Sequence, residues 1–216
     1  MEELSSIQRI VIWIFPVIFA ITAHEYAHGW VAKRLGDTTA EQLGRLTLNP
    51  LRHIDPIGTV VLPIILLIAG GFVFGWAKPV PINWSRLGNP KRDMAFVAVA
   101  GPLSNLLQAI IWALLLKLNL TLGSMESNIT LFIAYSCSAG IMINSVLCLL
   151  NLLPIPPLDG GRILVSLLPN NLAAAVSRIE PFGMVILIVL LATGLLGQLL
   201  GPMITTMQQL IISLVS

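Results

Sequence analysis

Three polar side chains lie close together in an otherwise apolar stretch near the start of the chain. In "FAITAHEYAHGWVAKRLG", residues 19–36, His24 and His28 are four positions apart and Glu25 follows the first of them. Residues four apart share one face of an α-helix, so both imidazoles can bind one zinc ion while the glutamate accepts a proton from a water on the metal. The HExxH spacing therefore predicts a hydrolytic zinc centre with two histidine ligands and a glutamate base.

A hydrolytic zinc site needs a third protein ligand and an open position for water. His53 is the remaining histidine, but it lies in a polar loop where a solvated or capping role is expected. Asp37, Asp55 and Asp93 also lie in polar, charge-rich connections. Asp159 follows "NLLPIPPL", whose prolines break a helix, and irregular backbone at membrane depth is tolerated where it lines protein or water. Asp159 is therefore our third-ligand candidate, and helix capping is the alternative.

The composition of the chain is that of an integral membrane protein. Of its 216 residues, 56% are hydrophobic and 10% are charged, and the mean hydropathy is +0.89. A single soluble core of this size cannot bury so much apolar surface, so we expect a lipid bilayer around the chain. The net charge is only +2, and no basic cluster is interleaved with aromatic residues, which excludes a nucleic-acid partner. Ionisable groups inside a membrane span usually mark a functional site.

The apolar segments predict one all-α polytopic membrane domain over residues 1–216, a bundle of about five to six transmembrane segments. We expect a catalytic core over about residues 8–170 and C-terminal helices over about 172–216. The predicted apolar segments run over about 10–30, 57–77, 94–116, 129–153 and 181–200, with a shorter piece over 202–215.

Residues 57–77 could either cross the membrane or turn back as a re-entrant hairpin near Gly70 and Gly71. Basic residues precede and follow this segment: Lys33, Arg34, Arg45 and Arg52 before it, and Lys78, Arg86, Lys91 and Arg92 after it. A hairpin places both groups on the cytoplasmic face, as the positive-inside rule favours. We therefore favour the hairpin, with the metal centre nearer the cytoplasmic side of a prokaryotic plasma membrane.

Three motifs in these segments resemble one known family. "HEYAH" in the first span, "AGPLSN" in a middle span and "NLLPIPPLDGG" at the end of a third are similar to the site-2 proteases, intramembrane zinc metalloproteases of the peptidase M50 type. The similarity covers about residues 10–170. It implies that His24, His28 and Asp159 bind Zn²⁺ and that Glu25 is the general base.

The same resemblance implies roles for two asparagines and two loops. Asn151 would help to hold the substrate carbonyl, and Asn105, at the end of the GPxxN element, would pack the middle helix and line the substrate path. "GRLTLNP" and "KPVPIN" resemble the short membrane-associated β elements that pair with unwound substrate in the family. We expect a compact form, since 216 residues leave no room for the PDZ or CBS domain of many relatives.

These features predict an intramembrane zinc metalloprotease that cleaves membrane proteins within or near their transmembrane segments. A zinc or cation transporter is one alternative, but it needs a polar path through the membrane, and the far halves of these helices offer mainly Ser, Thr and an occasional Asn or Gln. A catalytically inactive membrane scaffold is the other alternative. The intact set of two histidines, one glutamate and one aspartate argues against it.

Overall fold

The computed structural model describes residues 5–61, 77–124 and 127–215 of the chain. The segment expected to form a re-entrant hairpin, 57–77, lies mostly outside these described residues. Its beginning is described, and there Pro56–Val61 forms one turn of π-helix.

Within the described residues the regular structure is helical. The α-helices are α1 (Ser6–Arg34), α2 (Thr39–Gln42), α3 (Pro90–Leu122), α4 (Asn128–Asn151), α5 (Asp159–Leu167), α6 (Asn170–Ser177), α7 (Glu180–Ala192) and α8 (Leu195–Val215). By length and composition α1, α3, α4 and α8 can each cross a membrane, and α6 with α7, bent by 59°, can form a fifth span. The prediction of a multi-pass helical membrane protein is therefore confirmed, with four or five spans in the part of the chain described.

The helix bearing HExxH extends further at both ends than the apolar pattern indicates. Ser5 caps its start, because the Ser5 hydroxyl accepts a hydrogen bond from the Gln8 N–H and the Gln8 side chain accepts one from the Ser5 N–H. Lys33 and Arg34 occupy its last turn, where cations interact favourably with the helix dipole. Polar residues thus set the ends of α1, and these ends lie beyond the ones that hydropathy alone predicts.

Helix α3 lies at the centre of the bundle and packs against α1, α4, α5 and α8. Ala109 and Ala113 of α3 form a buried cluster with Ile141 of α4 and Ile211 of α8. Small residues allow helix backbones to approach closely inside a membrane, where lipid supplies no hydrophobic drive for association. The close packing of α1, α3 and α4 brings the polar side chains of the site within hydrogen-bonding distance.

The two predicted β elements are not formed: neither 44–50 nor 78–83 is a strand in the structure. The contact between these segments is made by a side chain instead, since Arg45 Nη2 donates to the carbonyl oxygens of Lys78, at 3.0 Å, and Pro79, at 3.2 Å. A β ladder needs backbone N–H groups from both strands, and Pro79 and Pro81 have none. The prediction of β elements was wrong because the two prolines remove backbone donors that a ladder needs, although Val and Thr in these loops favour strands.

The C-terminal helices divide at a different place from the one expected. The sequence predicts a break near Pro202, but Pro202 lies inside α8, and the break is at Thr193 and Gly194. Gly194 has a φ of +75°, the left-handed conformation with which helices commonly end. Membrane helices tolerate an internal proline, because neighbouring groups satisfy the freed backbone carbonyl.

Candidate metal centre

His24 and His28 of α1 converge with Asp159, the first residue of α5, in the interior of the protein. Asp159 Oδ2 lies 3.2 Å from His24 Nε2 and 3.3 Å from His28 Nε2, and the two Nε2 atoms are 3.0 Å apart. The exposed fractions of the three residues are 7%, 7% and 9%. Among the described residues, these three side chains are the group whose ligand atoms lie close enough together to hold a metal ion. The structure therefore brings together the three ligands expected from the sequence.

The Nδ1 atoms of both imidazoles, which point away from Asp159, are hydrogen-bonded to α3. His28 Nδ1 lies 2.7 Å from the backbone oxygen of Val97, and His24 Nδ1 lies 2.6 Å from Asn105 Oδ1. A backbone carbonyl can only accept, so His28 Nδ1 carries the proton and its Nε2 presents a lone pair to the centre. Such outer hydrogen bonds orient metal-binding histidines and fix their tautomer.

The donor set fits a zinc ion. Asp159 Oδ2 is buried and has no hydrogen-bond partner among the described residues, although it faces two imidazole nitrogens. Lone pairs held this close repel one another unless a metal ion or a proton lies between them. Two histidine nitrogens and one carboxylate oxygen are the ligands of a catalytic zinc with a fourth position left for water.

Gly101 of α3 makes room for the two imidazoles. A Cβ at this position would lie 2.4 Å from His28 Nε2 and 2.6 Å from His24 Nε2. Such distances are far below van der Waals contact, so no larger residue fits while the rings hold their positions. The "AGPLSN" motif contains this glycine, but the motif alone gives it no role. Its place one helical turn before Asn105, on the same face, is the signal that points to it.

Asp159 reaches the histidines because α5 begins directly against the end of α4. A Cβ on Gly160 would lie 2.3 Å from the carbonyl oxygens of Leu152 and Leu153, so only glycine allows this close approach. Leu158 occupies the N-cap position, and α5 has no side-chain cap. Asp159 therefore does not cap the helix, and its carboxylate faces the imidazoles.

Glu25 is held by a loop rather than by a helix. Its Oε2 accepts a hydrogen bond of 2.7 Å from the backbone N–H of Val80. Val80 lies between Pro79 and Pro81, so it carries the N–H group of this three-residue run. This contact is not among those predicted from the sequence, although "KPVPIN" shows a residue with a backbone donor between two prolines.

The two asparagines that the resemblance singles out make their described contacts within the protein. Asn105 is 0% exposed and bonds to His24, to the Ala20 carbonyl at 3.3 Å and to Asn144. Asn151, the last residue of α4, donates from Nδ2 to the Leu147 carbonyl at 3.0 Å. Their expected roles toward substrate stay predictions.

The other candidate ligands lie outside the cluster. A solvated or capping role is expected for His53, and it occupies the C-cap position of the 3-10 helix Pro50–Arg52. Its ring is not solvated: it is 3% exposed and donates from Nε2 to the Thr47 carbonyl. Asp37 and Asp93 are also buried and accept backbone N–H bonds, from Asn83 at 2.7 Å and from Asn89 at 2.8 Å. These side chains stabilise the connections around the site.

Known proteins similar to this chain have names that agree with the chemistry that the geometry indicates. The profile of Peptidase family M50 matches residues 124–193. The chain is 40% identical to "Putative zinc metalloprotease YwhC" of Bacillus subtilis over 204 residues, 94% of this chain and 90% of that protein. It is 32% identical to "Putative zinc metalloprotease Rip2" of Mycolicibacterium smegmatis over 198 residues, covering 91% and 73% of the two chains. Rip2 of Mycobacterium tuberculosis is 30% identical over 185 residues, covering 85% and 68%. No solved structure matches the chain.

Proposed function

We propose that this chain, which belongs to peptidase family M50 and is a multi-pass membrane zinc metalloprotease, cleaves other membrane proteins within or near their transmembrane segments. The observation that carries the proposal is the convergence of His24, His28 and Asp159 at buried positions in a bundle of helices long enough to span a membrane. A buried centre of this kind is accessible to a peptide that itself enters the bilayer.

The depth of the centre along α1 supports a cut inside the membrane. His24 precedes Lys33, in the last turn of α1, by nine residues, which is a rise of about 13 Å. Basic residues favour the cytoplasmic face, so we propose that the cleavage site lies below the cytoplasmic surface of a prokaryotic plasma membrane.

The chain supplies the ligands, the base and a donor to the reaction. His24, His28 and Asp159 would hold Zn²⁺, which when bound acts as a Lewis acid toward water and a substrate carbonyl. Glu25 accepts the proton of the attacking water on its carboxylate and returns it to the leaving amine. Asn151 would donate to the oxygen on which negative charge develops, and the loss of one such donor typically costs about 3 kcal/mol.

The substrate must be unwound before it can react. The peptide carbonyls of a transmembrane helix are hydrogen-bonded within the helix, so a nucleophile cannot reach them in the intact span. We therefore propose that substrates are single-span or multi-span proteins whose helix is locally unstable near the cut. The lipid bilayer is the common medium through which such a segment reaches the buried centre.

Zinc content and cleavage, measured together on the same purified proteins, test the proposal. Wild type, Glu25→Gln and Asp159→Ala are reconstituted in liposomes with a panel of single-span membrane proteins. Wild type should carry about one zinc per chain and cleave a panel member. Glu25→Gln should keep zinc and cleave about 10²- to 10⁴-fold more slowly, because it loses the proton acceptor. Asp159→Ala should lose both zinc and cleavage.

Glu41→Gln is the matched control, because Glu41 is a surface glutamate paired with Lys33 at 2.7 Å, away from the centre. It should keep both zinc and cleavage. Cleavage by Glu25→Gln at the wild-type rate would contradict the assignment of the base. Zinc transport by wild type and Glu25→Gln alike, without cleavage, would favour a transporter. Bound zinc with neither activity would favour a scaffold.

A further inference from the structure

Two fully buried asparagines lie behind His24, on the side away from the metal centre. Asn105 of α3 and Asn144 of α4 are both 0% exposed. Asn105 Oδ1 lies 2.6 Å from His24 Nδ1, and Asn105 Nδ2 donates to Asn144 Oδ1 at 2.9 Å. Asn144 Nδ2 in turn donates to the backbone carbonyl of Gly140 at 2.9 Å. The His24 ring, the two amides and the Gly140 carbonyl thus form one continuous series of hydrogen bonds across α1, α3 and α4.

The Gly140 carbonyl, at the end of this series away from His24, fixes the direction of every hydrogen bond in it. The Gly140 carbonyl can only accept, so Asn144 must turn its NH₂ group toward Gly140 and its oxygen toward Asn105. Asn105 must then turn its NH₂ group toward Asn144 and its oxygen toward His24. His24 Nδ1 must therefore carry the proton, and His24 Nε2 is left with the lone pair that a metal needs.

A second carbonyl holds Asn105 in the same orientation. Asn105 Nδ2 also lies 3.3 Å from the backbone oxygen of Ala20, which can only accept. Reversing the Asn105 amide would place its oxygen against two acceptors in a buried site, where an unsatisfied polar group is costly. Ala20 and Asn144 thus constrain Asn105 together, and either one alone constrains it less.

We propose that Asn105 and Asn144 are positioning residues that set the zinc affinity of the centre by fixing the tautomer and orientation of His24. This relay, the series of hydrogen bonds from Gly140 through Asn144 and Asn105 to His24, rests on the proposed zinc site. It gives Asn144, which the sequence motifs do not single out, a role in metal binding although it contacts no ligand atom of the metal centre. It also links the packing of α3 against α4 to the metal centre.

Zinc dissociation constants of purified full-length variants in detergent test the relay, measured by competition with a chromophoric chelator. Asn105→Leu should weaken zinc binding by about 10- to 100-fold, the usual effect of removing a hydrogen bond to a ligating histidine. Asn144→Leu should weaken it measurably but by less than Asn105→Leu, by up to about tenfold, because the Ala20 carbonyl still orients Asn105. Asn144→Asp should bind like wild type, since a protonated carboxyl can donate to Gly140 and accept from Asn105.

Gln108→Leu is the control for the loss of a neighbouring buried amide that is not part of the relay. Gln108 lies on α3 one turn after Asn105, is buried, and donates to the same Ala20 carbonyl at 3.5 Å, but it does not bond to either histidine. Thermal unfolding without zinc should show a smaller loss for Gln108→Leu than for Asn105→Leu, because Gln108 makes one bond of 3.5 Å and its buried Oε1 has no partner among the described residues. The zinc dissociation constant of Gln108→Leu should stay within about twofold of wild type.

The results separate failure of the relay from failure of the proposed function. If wild type binds zinc and Asn105→Leu or Asn144→Leu binds it equally well, the relay is wrong and the zinc site stands. If Gln108→Leu loses as much affinity as Asn105→Leu, the effect is general packing and the relay is again wrong. If wild type itself binds no zinc, the metal centre and everything built on it are wrong.

Discussion

His24 and Glu25 are neighbours in the chain, but different parts of the molecule hold their side chains. The His24 ring is fixed by a buried amide of α3, which is itself fixed by α4. The Glu25 carboxylate is bonded to one backbone N–H in the proline-rich loop that follows the undescribed segment. One turn of α1 thus presents the predicted zinc ligand, anchored in the helix core, beside the predicted base, which is bonded to a loop.

This difference suits the two tasks. A metal ligand must stay in one place, because zinc affinity depends on fixed ligand geometry and on the hydrogen bonds behind each histidine. A general base must serve both the attacking water and the leaving nitrogen, and the hydrogen bond from Val80 restrains one of its two carboxylate oxygens from a loop rather than from the helix core. We therefore expect changes in α3 to alter zinc binding, and changes in the 77–83 loop to alter turnover while zinc binding is preserved.

Gly101→Ala should have the largest effect on the helix-anchored side. The new methyl group would lie about 2.5 Å from both imidazoles, so the rings or α3 must move. Overpacking of this kind costs about 1–3 kcal/mol, and displaced rings should bind zinc about 10- to 100-fold more weakly. The chelator competition described above measures this loss.

Gly197→Ala on α8 is the control for Gly101→Ala, because among the described residues nothing beyond the neighbouring backbone of its own helix lies within 4 Å of a Cβ at Gly197. It should leave zinc affinity unchanged. Wild-type zinc affinity in folded Gly101→Ala would show that the imidazoles are not confined by α3 as the structure indicates.

Removing the Val80 N–H should have a smaller effect, confined to turnover. The α-hydroxy acid analogue of valine at position 80 keeps the side chain and replaces the N–H by an ester oxygen. Glu25 then loses a hydrogen bond to its charged carboxylate, and we expect cleavage to slow about tenfold with the zinc dissociation constant unchanged. Val80→Ala, which keeps the N–H, should cleave at close to the wild-type rate. Equal rates for the ester variant and wild type would mean that the loop does not position Glu25.

The sequence predicts the parts of the site that are local in the chain. His24, Glu25 and His28 lie within five residues, so helical spacing alone places the imidazoles on one face. Asp159 is distant, but the prolines before it mark a break in a membrane helix and single it out from Asp37, Asp55 and Asp93. Apolar length likewise predicts the spanning helices, although polar caps such as Ser5 move their ends.

Features that depend on contacts between distant helices could not be predicted. Asn144 contributes only through the packing of α3 against α4, and nothing in its own neighbourhood shows which helix it faces. Gly101 shares a helix face with Asn105, but only the packing of α3 against α1 shows that this face meets the imidazoles. The prediction of β elements was wrong for a related reason. A strand exists only with a partner, and the prolines remove backbone donors that pairing needs. Gly194 ends a helix through its backbone conformation, whereas Pro202 is the more conspicuous break in the sequence.

The most direct test of the metal centre is the position of zinc in crystals of the full-length protein, located by anomalous scattering at the zinc edge. We predict one strong peak in the space bounded by His24 Nε2, His28 Nε2 and Asp159 Oδ2, within zinc-ligand distance of all three atoms. A peak elsewhere, or an Asp159 carboxylate turned away from a zinc held by other residues, would contradict the account.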